Sequence, residues 1–148
     1  MDDEYRPWSI PLRQSRPISV ESSGGQVSVS VHAAQLVSGD DKFNNWDLIA
    51  EYDLQPKDGG LELTRDGDIE VLPTAFDPTS GRRLSSRQVA VRSNLNKVIN
   101  ELADQGDGFP ESISMPELKP TGDLADVGTL RLQHVASADG WLTLAWDR

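Results

Sequence analysis

Cysteine is absent from the 148 residues, so neither a disulfide nor a thiol nucleophile contributes to this protein. That absence leaves the compartment open, because reduced cytosol and bridge-free exported domains both permit it. No run of about 18 apolar residues exists, so no transmembrane helix is expected. The start, MDDEYRPWSI, has neither a basic nor an apolar leader region, and the chain reads as soluble without a signal segment. The sequence also lacks GxSxG, HExxH, P-loop and GxGxxG patterns, so no cofactor is expected. Aromatics are few, with four tryptophans, two tyrosines and three phenylalanines, so each tryptophan calls for an explanation.

Acidic charge, by contrast, is plentiful. Fourteen Lys and Arg stand against 24 Asp and Glu, a formal net charge of -10, scattered along the chain instead of gathered in a tail. A phosphate backbone is repelled by such a surface, which argues against nucleic acid as a partner and for solubility as the role of the charge. Asp40 with Asp41, Asp66 with Asp68 and Glu70, and Asp104 with Asp107 form small clusters. None has the spacing of a calcium loop, and they read as solvated turn carboxylates with no metal expected.

Patterning points to strands and a single helix. Pro7, Pro11 and Pro17 exclude a helix or central strand, so residues 1–16 read as an extended arm anchored by Trp8 and Ile10, followed by one β-rich domain over 17–148. Val27, Val29 and Val31 alternate with Ser28, Ser30 and His32, and Trp46, Leu48, Ala50, Tyr52 and Leu54 repeat the period of two. Segments 61–65 and 68–72 are expected to pair as a hairpin, Leu63 opposite Ile69, with Gly67 left-handed. A short strand is expected near 112–115.

The last hairpin is expected to close through a three-residue loop, 138–140. His134 then lies opposite Leu144, and Leu132 opposite Trp146. This places Trp146 in the core with Leu130, Leu132, Leu142 and Leu144, and leaves Trp141 on the other face with Val135. From Ser85, whose spacing to Gln88 fits a capping box, Val91, Leu95, Val98, Ile99 and Leu102 form a helical stripe, with Arg92, Lys97, Asn100 and Asp104 outside it and Gly106 as the stop. The helix should be about 30 Å long.

These elements make an α+β fold, a twisted and mainly antiparallel sheet of six or seven strands with one long amphipathic helix packed on one face. His134 lies on an apolar face and reads as a core or sheet-edge residue. His32 lies on the polar side of its strand, with nothing nearby in sequence to complete a triad.

Three functional readings follow. The first is a non-catalytic interaction or structural domain, a module of a larger assembly, meeting a protein partner or a second copy through Trp141, Val135 and Trp8. Trp141 has two alternative fates, covered by the proline-stiffened arm or already exposed as the partner surface, and the arm is the favoured one. The alternative is an apolar, lipid-type ligand in a cavity between helix and curved sheet, lined by Val91, Leu95, Leu102, Leu132 and Leu144. The third is an enzyme using a carboxylate or histidine that the sequence does not place.

Overall fold

The computed structural model describes residues 8–106, 108–138 and 140–148. In chain order the elements are β1 (Trp8–Ser9), β2 (Ile18–Ser23), β3 (Gln26–Ser38), β4 (Asp41–Lys57), β5 (Gly60–Arg65), β6 (Glu70–Pro73), α1 (Ser86–Asp104), β7 (Ser112–Met115), β8 (Arg131–Ala138) and β9 (Trp141–Asp147). The fold is α+β, a curled antiparallel sheet of seven strands with α1 on one face and a separate β8–β9 hairpin.

The long β3–β4 ladder is the spine, running from Gln26 opposite Asp53 to Ser38 opposite Asp41. Each outer edge of this ladder is met by two short strands, β1 and β2 along β3, and β5 and β6 along β4. β7 then joins β5. Curling has a local cause at Asn45, which sits at φ 58°. The Ala34–Asn45 pair is missing from the ladder, and Ala33 and Trp46 on one side of it share a core with Leu36 and Phe43 on the other. Partners three apart should face opposite ways in a flat strand, so the irregularity resets the alternation and bends the sheet.

The expected hairpin between β5 and β6 is not formed. Both pair with β4, Tyr52 opposite Arg65 and Ile49 opposite Glu70, so residues 66–69 bulge against residues 50 and 51. The surplus of two is even, which keeps Leu63 and Val71 on one face just as a hairpin would have done. Gly67 does hold a positive φ, 75°, but within this bulge.

Helix α1 begins as the sequence indicates. Gln88 N–H donates to Ser85 Oγ at 3.2 Å and Ser85 N–H to Gln88 Oε1 at 2.9 Å, the reciprocal capping box. Val91 and Leu95 enter a cluster with Ala33, Leu36, Trp46, Leu48 and Val71, and Ala103 enters a second with Ala50, Tyr52 and Ile69. Asn100, expected outside the apolar stripe, is instead bonded to the sheet. Its Oδ1 accepts from Ile69 N–H at 2.8 Å and its Nδ2 donates to Ile69 C=O at 3.1 Å, while Asn96 Oδ1 accepts from Val71 N–H at 3.0 Å. Two asparagines one turn apart thus stand in for the missing strand at the outer edge of β6.

The C-terminal hairpin departs from its expected register. Ala138 pairs with Trp141, which leaves two residues between the strands instead of three, and Val135 meets Leu144. A bulge between Leu132 and His134 absorbs the slip, so Leu132 still pairs with Trp146. Asp139, in the middle of the expected loop, lies outside the described residues. Leu132 is buried, but Trp146 is 37% exposed and is not the core tryptophan; that role belongs to Trp46 at 3%. The hairpin bridges two sheet turns, Leu132 N–H donating to Gly59 C=O at 2.7 Å and Gly140 N–H to Ser22 C=O at 3.1 Å.

Residues 8–16 of the arm do not cover Trp141, and residues 1–7 lie outside the described residues. Trp8 pairs with Ser38 at the far end of β3, and its ring centroid lies 6.3 Å from that of Phe43. Trp141 is left 77% exposed.

Candidate functional site

The bonds of Asn96 and Asn100 to β6 set the helix over the β4–β6 side of the inner face. On the β2–β3 side that face stays open as an apolar groove of about 440 Å³. β3 and β4 contribute Val29, Val31, Leu48 and Tyr52, α1 contributes Ile99 and Leu102, and the chain from the arm into β2 contributes Ile10, Leu12 and Ile18. Gly108, Phe109, Pro110 and Ile113, after the helix, complete the lining. Leu12, Ile18, Leu102 and Ile113 are exposed, an arrangement that leaves apolar area in water at the mouth.

The segment after the helix is held in place by polar contacts beneath it. Tyr52 OH donates to Pro110 C=O at 2.9 Å, and Arg65 donates through its side chain to Phe109 C=O at 2.9 Å and through its backbone to Glu111 C=O at 2.8 Å. Arg65 also contacts Asp104 at 3.3 Å. Since the Tyr52 hydroxyl is already bonded, the groove is suited to recognising shape and apolar area. Burial of the ring holds the Tyr52 phenol above its ordinary value of 10.0, partly offset by the Arg65 guanidinium.

A proton kept to higher pH in the fold than in the unfolded chain stabilises fully below the unfolded value, and that contribution is lost as pH rises through the folded one. Unfolding free energy is therefore expected to fall above about pH 10 more steeply in the native protein than in Tyr52→Phe. Denaturant titrations across the alkaline range measure this difference, and parallel curves for the two proteins would contradict it.

Of the residues expected to line a cavity, only Leu102 lines this groove. Val91 and Leu95 are packed in the core, Leu132 is buried under the sheet turns, and Leu144 is half-buried in the hairpin. Trp141, Val135 and Trp8 do not form one surface, because Trp8 packs at the opposite end of β3 from the turn that the hairpin meets. Among the described residues no three potential metal ligands gather. Glu70 is bonded to Arg92, and Asp66 accepts from Gln26. Asp107 lies outside the described residues.

The outer face carries a constellation that the sequence pattern missed. Ser19 Oγ lies 2.8 Å from His32 Nε2, and His32 Nδ1 lies 2.8 Å from Asp47 Oδ1. Thr74 Oγ1 donates to the same Asp47 oxygen at 3.0 Å and accepts from an Arg13 guanidinium nitrogen at 2.7 Å. Neighbouring strands β2, β3 and β4 supply the three central residues, with His32 directly opposite Asp47. The only sequence signal was the polar alternation of β3, which puts His32 on the outer face without naming its neighbours.

Comparison with protein-family models, curated proteins and solved structures finds no match.

Proposed function

We propose that this domain binds an apolar, lipid-like ligand in the groove between α1 and the β2–β3 side of the curled sheet. The observation that carries this reading is the groove itself, whose volume of about 440 Å³ falls in the range of small-molecule sites and whose lining is almost wholly apolar. Its position supports the reading further. A side-chain lock on β6 holds the helix to one side, so closing the groove by moving the helix would strand the bonds at Ile69 and Val71.

A homologous series of linear alcohols tests it. Each methylene buried contributes about 0.8 kcal/mol, so affinity should tighten about four-fold per carbon until the groove is filled. Leu102→Asp, which places a charge at the mouth, should weaken every member of the series. Affinity independent of chain length would refute the proposal.

The hairpin favours a second reading, docking of a protein partner or a second copy. Trp141, Leu142 and Trp146 all leave apolar surface exposed there. Native mass spectrometry separates the two, since a bound lipid adds a small mass to the monomer and self-association doubles it.

A further inference from the structure

We propose that Ser19, His32 and Asp47 form an acyl-transfer site on the outer face of the sheet, with Ser19 as nucleophile and small carboxylic esters as the substrate class. The contacts are compatible with the roles that activate a serine: in the tautomer with its proton on Nδ1, His32 donates to Asp47 and presents the Nε2 lone pair to Ser19, whose hydroxyl donates to it. Nucleophile, base and orienting carboxylate then stand in the order that activates a serine. Thr74 and Arg13 act behind Asp47 as positioning residues, each donating to the next acceptor in line.

Strand backbone holds the set in place. His32 N–H donates to Pro17 C=O, so the odd-numbered residues of β2 turn their backbone groups toward β3. The even-numbered residues face the open edge, as Ser22 C=O shows by accepting from Gly140 N–H. Val20 N–H therefore points away from β3, on the opposite side of Ser19 from His32. It is the backbone donor next to the nucleophile for a carbonyl oxygen gaining negative charge. The His32 and Asp47 side chains are 19% and 15% exposed, shielded yet within reach of solvent. Ser19, His32 and Asp47 do not line the apolar groove, so an activated ester, whose leaving group needs little help from a binding pocket, is the simplest substrate for them.

In the reaction, Ser19 Oγ attacks the ester carbonyl carbon as its proton passes to His32 Nε2. Collapse of the adduct breaks the bond to the leaving oxygen, which takes that proton and departs as the alcohol. Water then attacks the acyl-serine by the same route, releasing the carboxylic acid and restoring Ser19, so ester and water become acid and alcohol.

The test uses p-nitrophenyl acetate and a fluorophosphonate label on the intact chain. Turnover should fall about a hundred-fold or more in Ser19→Ala and His32→Gln, while Asp47→Asn lowers kcat with little change in KM. Peptide mass mapping should place the label on Ser19 in the native protein and find it lost in His32→Gln. The native protein serves as its own folding control, because labelling needs no substitution. A Ser19→Ala variant with native turnover, or a native protein whose Ser19 takes no label, overturns the proposal.

Discussion

Replacing Trp46 by alanine is expected to cost about 3–5 kcal/mol, whereas the same change at Trp146 costs about 1 kcal/mol or less. Both residues sit on strands of alternating pattern, so composition alone does not separate them. Trp46 is buried beside Ala33, Leu36, Leu48, Val71, Val91 and Leu95, at the junction of the sheet spine with α1. Removing its ring leaves a cavity that the paired β3–β4 backbone cannot close, because the ladder on both sides holds its spacing. Trp146 lies on a hairpin with only one buried described side chain, Leu132, and is already in contact with water. Chemical denaturation with both variants measures the contrast. Equal losses would mean that the hairpin carries as much of the core as the spine does.

Asn100→Ala is expected to destabilise by about 2–4 kcal/mol, despite alanine being the better helix former. The asparagine satisfies both the N–H and the C=O of Ile69, a residue buried in the second core cluster. Loss of the amide strands two backbone groups at once, and each unsatisfied group costs about 1–3 kcal/mol. Asn100→Asp sharpens the test. It keeps an acceptor for Ile69 N–H but cannot donate to Ile69 C=O, and it sets a negative charge against that carbonyl, so it should be no milder than alanine. Lys97→Ala, on the exposed side of the same helix, should stay within about 0.5 kcal/mol. If Asn100→Ala matches Lys97→Ala in the denaturant midpoint, the bonds to β6 contribute nothing net.

These bonds also tie the fold to its groove. A helix held only by its apolar stripe is free to centre itself over the sheet and bury Val29 and Val31. The directional amide contacts hold it at the β6 edge instead, and the inner face of β2 and β3 remains open.

The α+β class, the extent of α1, its capping box, the short β7 strand and the positive φ of Gly67 and Gly140 could all be read from the sequence. Each depends on residues within a turn or two of one another, where period, capping geometry and backbone sterics act locally. Strand pairing is different. An even bulge and a hairpin leave the same faces apolar, so alternation in 61–72 does not distinguish a reversal from a strand continuing along β4. Similarly, the polar stripe of β3 places His32 on the outer face. Its meeting with Ser19, 13 residues before it, and with Asp47, 15 residues after it, depends on the register of two ladders. The groove rests on a helix-to-edge contact 31 residues apart in sequence, made by an asparagine that a helical pattern counts as merely polar. Local propensity determined the elements, and only long-range backbone pairing, which fixes neighbours that no short window contains, decided the groove and the Ser19–His32–Asp47 chain.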